Sequence, residues 1–173
     1  YRYHGYGTLN YPNDEKYEGS WKDGSRHGYG IYQYSDDNTM YSKYEGEYRN
    51  TNATGVGNYY DKMGRLLYSG GVVNSRYEGY GISIFYLEGG KSLRYVGEHQ
   101  NNFYHGKGKV YFGNDDYYEG DFKKGKATGR GELHEPDRVY YGYFRDAKIQ
   151  GQGKITHKSL GISIDINFKD GLE

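Results

Sequence analysis

The patterns in this chain that could carry chemistry are glycine pairs, histidines, acid pairs and a periodic set of aromatic rings. Gly-x-Gly occurs seven times, at 5–7, 28–30, 55–57, 79–81, 106–108, 129–131 and 151–153. Such a pair cradles phosphate when a third Gly follows three residues on, between a strand and a helix. That position holds Asn10, Gln33, Tyr60, Ile84, Tyr111, His134 and Thr156, which argues against a nucleotide site. His4, His27 and His105 each precede the first Gly of a pair, and His134-Glu135 continues as Pro136-Asp137-Arg138 without the second His of a zinc-binding helix. No Ser or Cys stands in a nucleophile elbow. Asp36-Asp37 and Asp115-Asp116 read as solvated turn residues. The expectation is a chain with no catalytic residue, no cofactor and no metal.

The rings are different, because their spacing is regular. Tyr-x-Gly recurs as Tyr17-Glu18-Gly19, Tyr44-Glu45-Gly46, Tyr68-Ser69-Gly70, Tyr95-Val96-Gly97, Tyr118-Glu119-Gly120 and Tyr140-Tyr141-Gly142. From its Gly to the first Gly of the following Gly-x-Gly is 9 residues every time, while the step to the next Tyr-x-Gly varies between 13 and 18. A constant interior with elastic joints is the pattern of a repeated hairpin. In an extended chain, residues two apart share a face. Tyr17, Gly19 and Trp21 then lie on one face, with Glu18, Ser20 and Lys22 on the other. The returning strand follows the same rule with Gly28, Gly30, Tyr32 and Tyr34. The bends are polar and usually Gly-bearing, as at Asp23-Gly24 and Lys124-Gly125, and the joints hold turn residues such as Ser35-Asp36-Asp37-Asn38 and Glu135-Pro136-Asp137. No stretch keeps a helical period.

Composition agrees. The 173 residues include 29 Gly and 25 Tyr, so apolar surface is carried by rings rather than by an aliphatic core. Fourteen of the Gly stand in Gly-x-Gly pairs and six in Tyr-x-Gly, which makes them fixed backbone positions rather than low complexity. The net charge of zero gives no long-range pull toward nucleic acid, which is excluded as a partner. No apolar run approaches the roughly 20 residues of a membrane-spanning helix. The absence of Cys fits a reducing, cytoplasmic setting.

The repeated Tyr-x-Gly-x-aromatic and Gly-x-Gly, with His27-Gly28 and His105-Gly106 keeping a His before the pair, resembles the MORN (membrane occupation and recognition nexus) repeat family over nearly the whole chain. The resemblance implies an all-β, elongated, single-layer antiparallel sheet of consecutive β-hairpins, a MORN-repeat solenoid. Read as one domain spanning 1–173, it has a partial repeat at 1–16, six repeats starting near 17, 44, 68, 95, 118 and 140, and a terminal half-repeat at 164–173. Two ladders form the expected partner-binding groove: Tyr17, Tyr44, Tyr68, Tyr95, Tyr118 and Tyr140, and beside them Trp21, Tyr48, Val72, His99, Phe122 and Phe144. Val72 and His99 lack the volume of their neighbours and predict a wider groove there. Gly19, Gly28, Gly30, Gly46, Gly55, Gly57, Gly97, Gly106, Gly108, Gly120, Gly129 and Gly131 are expected to be structural, leaving room for rings over bare backbone.

Family resemblance implies a non-catalytic scaffold that holds a helix or extended segment of a protein partner, in a cytoskeletal or membrane-adjacent assembly in the cytoplasm. The alternative it implies is a phospholipid-binding or membrane-targeting module, attached to a catalytic domain outside this segment. Lys123, Lys124 and Lys126 are the only local basic cluster, beside Glu119 and Asp121. Ile162, Ile164, Ile166 and Phe168 line one face of the last half-repeat, and this stripe predicts an edge that pairs two copies into a homodimer.

Overall fold

Period-two alternation on Tyr-x-Gly, a two-residue bend and a return on Gly-x-Gly give strands and nothing else of length. The computed structural model describes residues 2–113, 115–169 and 171. It is all-β, with antiparallel strands in sequence order. One short 3₁₀ turn, Glu88–Gly90, interrupts them. The chain divides into two compact units, Tyr1–Ser83 and Ile84–Glu173.

The first unit contains β1 (Gly5–Asn10), β2 (Lys16–Lys22), β3 (Ser25–Gln33), β4 (Lys43–Arg49), β5 (Asn52–Tyr60), β6 (Leu66–Val73) and most of β7 (Arg76–Tyr86). Its core is Tyr17, Trp21, Tyr44, Tyr48, Ala53, Tyr59, Tyr68 and Val72. The second unit holds β8 (Ser92–Gln100), β9 (Phe103–Gly113), β10 (Asp116–Lys123), β11 (Lys126–His134), β12 (Arg138–Arg145), β13 (Lys148–His157) and β14 (Ile162–Phe168). Its core is Tyr95, Val110, Tyr118, Phe122, Tyr140, Phe144, Ile149 and Phe168.

Each repeat is one tight hairpin. Both central loop residues have positive φ, as a type I′ turn demands: Asp23-Gly24, Asn50-Thr51 and Asn74-Ser75 in the first unit, Asn101-Asn102, Lys124-Gly125 and Asp146-Ala147 in the second. Gly is thus present in only two of the six bends. Asn or Asp supplies the first left-handed residue in four others, since a short polar side chain tolerates that conformation. The second loop residue is anchored by the preceding hairpin: Thr51 N–H donates to the Arg26 carbonyl at 2.9 Å and Ala147 N–H to the Ala127 carbonyl at 3.0 Å.

Candidate functional site: the aromatic face

Register explains the motif. Gly19 faces Gly30, yet two residues on Trp21 faces Arg26, so the return strand spends four residues where the outgoing strand spends two. Tyr48 faces Ala53, Val72 faces Tyr77, His99 faces Tyr104, Phe122 faces Ala127 and Phe144 faces Ile149 after the same shift. The surplus forms a bulge, and its corner is the first Gly of Gly-x-Gly. Gly28, Gly55, Gly79, Gly106, Gly129 and Gly151 all have φ between 55° and 77°. A side chain there would be strained.

The second Gly does another job. In the first unit Gly7, Gly19, Gly30, Gly46, Gly57 and Gly70 stand opposite one another from strand to strand, forming a bare row across the sheet. In the second unit Gly97, Gly108, Gly120, Gly131 and Gly142 do the same. Tyr17, Tyr44, Tyr68, Tyr95 and Tyr118 each lie flat over their own glycine pair. A Cβ at Gly57 would meet Tyr44 Oη at 2.3 Å, and one at Gly131 would meet Tyr118 Oη at 2.3 Å. The ring then delivers its hydroxyl to the carbonyl at the bulge. Tyr17 donates to the Ser20 carbonyl at 2.9 Å, Tyr44 to Glu47 at 3.2 Å, Tyr68 to Gly71 at 2.6 Å, Tyr95 to Glu98 at 2.8 Å and Tyr118 to Asp121 at 3.3 Å. The bulge amide is met from the other side: Glu98 Oε1 accepts from Lys107 N–H at 3.0 Å. Tyrosine, two classes of glycine and an acid are thus one local solution to the polar groups that a bulge exposes.

All twelve residues expected to form the groove are buried. Tyr17, Tyr44, Tyr68 and Tyr95 are 0% exposed, and Trp21, the most open of the set, is 8% exposed. They are edge-on to one another, as Tyr17 is to Tyr48 at 5.2 Å and Tyr118 to Phe144 at 4.7 Å. The reason is the bare glycine row, over which rings lie down and seal against their neighbours. Burial pushes the hydroxyls of Tyr17, Tyr34 and Tyr68 up to about 12.

The volume that Val72 and His99 lack is not left open, since both are buried. The missing volume returns from the facing strand, where Tyr77 stacks on Tyr68 at 3.7 Å and Tyr104 stacks on Tyr95 at 3.9 Å. Opposite the large rings of Tyr48 and Phe122 stand Ala53 and Ala127 instead. Opposite Trp21, Arg26 reaches over the rings of Tyr17, Tyr32 and Tyr48, with its guanidinium 4.9–5.6 Å from their centres. His99, 3% exposed, sets Nδ1 3.1 Å from the Gly97 carbonyl.

The sixth repeat departs from the rule. Tyr140 turns its hydroxyl to Glu135 at 3.2 Å and accepts from Arg138 at 3.4 Å. Ile149 covers Gly142, and Phe168 covers Gly153. At the edge, Phe168 is therefore core, whereas Ile162, Ile164 and Ile166 are 51%, 52% and 38% exposed. β14 pairs with β13 from Gly151↔Phe168 to His157↔Ile162.

Beside the sealed ladder in the first unit runs a row outside the two expected ladders, to which the returning-strand residues Tyr32 and Tyr34 belong. Tyr11, Tyr32, Tyr34 and Tyr41 are half-buried, with successive ring centres 5.0–5.9 Å apart. Tyr32 donates to Glu15 at 2.5 Å, and this bond holds the Glu15 carboxyl below its ordinary value. The Tyr41 and Tyr77 hydroxyls lie 3.1 Å apart.

Hairpins paired in sequence order, five of them closing their own ring over their own glycines, define a repeat protein. The model of the MORN repeat matches residues 2–16, 17–39, 44–64, 68–86, 95–117, 118–137 and 140–159, and the chain belongs to this family. MORN repeats are in general protein- and membrane-binding modules. No helix among the described residues is long and apolar enough to cross a membrane.

Proposed function

We propose that the chain is a non-catalytic scaffold whose aromatic face holds a helix or extended segment of a protein partner, in a cytoskeletal or membrane-adjacent assembly of the cytoplasm. The half-buried row of Tyr11, Tyr32, Tyr34 and Tyr41 carries this reading. The sealed ladder supplies a rigid floor, and the row beside it offers both ring surface and hydroxyls. Such amphipathic rings make good contact surface at low entropic cost. Substituting Tyr34→Ser and Tyr41→Ser together should abolish capture of a partner by the purified chain, with the strand circular dichroism unchanged. Retained capture would remove this face from the interaction. Co-sedimentation with anionic vesicles at physiological salt, in the absence of protein partner, would favour phospholipid binding instead.

The exposed Ile162, Ile164 and Ile166 support a second element of the proposal, pairing of two copies along β14. Light scattering should give a dimer that Ile164→Lys converts to a monomer of equal thermal stability. A monomer at every concentration would refute it.

A further inference from the structure

The opposite face of the first unit carries a second apolar ladder. Alternation sends the middle residue of each Gly-x-Gly away from the buried rings. In β1, β3, β5 and β7 this residue is Tyr6, Tyr29, Val56 and Tyr80, which are 72%, 57%, 62% and 67% exposed. In β9, β11 and β13 of the second unit the same position holds Lys107, Arg130 and Gln152. Gly97 still faces Gly108 there and Gly120 still faces Gly131. The repeat therefore forms with a cation or an amide at this place, and nothing in its packing requires a ring. Exposed apolar side chains on every second strand mark a contact surface.

Charge and spacing say what fits it. The carboxylates near the ladder are already engaged. Glu18 takes Lys16 at 3.0 Å and the Tyr6 hydroxyl at 3.2 Å. Glu45 takes Lys43 at 2.5 Å and the Tyr60 hydroxyl at 3.0 Å, and Glu47 accepts from Val56 N–H at 3.4 Å. Lys22 and Arg49 stand on the same face, two residues beyond Ser20 and Glu47, and both are exposed. Neither meets a carboxylate among the described residues. The ladder thus has a spare basic border. Its rungs recur every second strand, about 9.6 Å apart. Every third residue of a polyproline II segment recurs at about 9.3 Å. Every seventh residue of an α-helix recurs at about 10.5 Å. Over the three intervals from Tyr6 to Tyr80 the first falls about 1 Å short, and the second overshoots by nearly 3 Å.

We propose that this face docks an acidic, proline-rich segment of a protein partner in polyproline II conformation, with an apolar residue at every third position on the ladder and its carboxylates toward Lys22 and Arg49. The test is fluorescence anisotropy of labelled peptides against the purified chain. The probes are tandem Leu-Pro-Glu triplets, the same peptide with Lys for Glu, and a helical acidic peptide with Leu at every seventh position. The Glu triplets should bind about tenfold or more tighter than either control. Tyr29→Ser with Tyr80→Ser should weaken them about tenfold, Arg49→Glu should reverse the Glu-over-Lys preference, and Lys107→Ser should change nothing. These side chains are exposed, so unchanged melting curves confirm that binding alone is altered. Equal binding of the Glu and Lys peptides, tighter binding of the helix, or no loss in the double variant would overturn the proposal. So would capture of the chain by phosphatidylserine vesicles through Tyr29 and Tyr80 while the triplets fail to bind.

Discussion

Alanine at Gly108 puts a methyl group where the Tyr95 ring already lies. The new Cβ would stand 2.3 Å from Tyr95 Oη, 2.4 Å from Cε2 and 2.5 Å from Cζ. The ring cannot retreat freely. It is fully buried, stacked on Tyr104 at 3.9 Å, and tied by its hydroxyl to the Glu98 carbonyl at 2.8 Å, with the His105 carbonyl at 3.1 Å. Forcing an extra carbon into such packing costs about 1–3 kcal/mol. Losing the hydroxyl bond adds about 1 kcal/mol. The stiffer unfolded chain of alanine returns about 0.4–1 kcal/mol. The net expectation is a loss of about 1–3.5 kcal/mol, read by equilibrium urea unfolding followed by circular dichroism. Two controls isolate the cause. In a Tyr95→Ala background the same Gly108→Ala change should cost under about 0.5 kcal/mol, because the clash has gone. Gly151→Ala, at φ 68° with open space around the new carbon, should cost about 1 kcal/mol through the backbone alone. Strictly additive losses for Tyr95→Ala and Gly108→Ala, or a Gly108→Ala chain as stable as its parent, would refute the account of the ring as the occupant of the glycine row.

Val72→Phe alone should destabilise by about 1–3 kcal/mol, because Val72 is sealed opposite Tyr77; adding Tyr77→Ala should restore most of the loss by recreating the Tyr48–Ala53 arrangement, as thermal melts would report. An additive double variant would count against compensation across the hairpin. Tyr68→Phe leaves the Gly71 carbonyl without its 2.6 Å donor and should cost about 1–2 kcal/mol, whereas Tyr140→Phe, whose hydroxyl meets Glu135 and Arg138, should cost under about 0.5 kcal/mol. Equal effects would dissociate the hydroxyl from the bulge. Burial raises Tyr17, Tyr34 and Tyr68 from 10.0 to about 12, so the fold favours their protonated form. Their contribution to stability is intact below pH 10 and is lost as pH rises through about 12, so tyrosinate absorbance and loss of strand signal should rise together there. Complete tyrosine ionisation near pH 10 with the strands intact would oppose this.

The strands and their phase were legible because Tyr-x-Gly and Gly-x-Gly encode demands of the backbone itself. A ring needs a bare neighbour, and a bulge needs a residue at positive φ. What depended on register was hidden. Tyr77 lies five residues after Val72 in sequence, and only the bulged pairing turns that separation into a facing position. The return of ring volume from Tyr77 and Tyr104 therefore could not be anticipated from the depleted ladder. Asn50-Thr51 and Asn74-Ser75 carry the same left-handed loop as Asp23-Gly24 without its glycine, so composition understated how uniform the bends are. The sealing of the groove residues was hidden for a different reason. Alternation assigns a face, but it does not tell whether a ring stands up from that face or lies down on it. The outward Tyr6, Tyr29 and Tyr80 each stand inside a glycine pair whose backbone demands fix the glycines and leave the middle residue unspecified.

The two faces of the sheet divide the work. On the ring side almost every feature of the motif is consumed locally: the tyrosine covers two glycines, its hydroxyl closes one carbonyl, and a large residue on one strand is matched by a small one on the other. A position bound that tightly can vary only with its partner, as Val72 does with Tyr77 and Phe122 with Ala127. Such positions are poorly placed to record which molecule a particular repeat meets. The middle of Gly-x-Gly is bound by none of these rules. Its side chain leaves the sheet on the far side, and the two units use the freedom differently, with Tyr6, Tyr29, Val56 and Tyr80 in one and Lys107, Arg130 and Gln152 in the other. Identical backbone solutions with divergent outward chemistry fit the proposed docking face, on which the repeat would supply the scaffold and the residues that the fold leaves unspent would supply the selectivity.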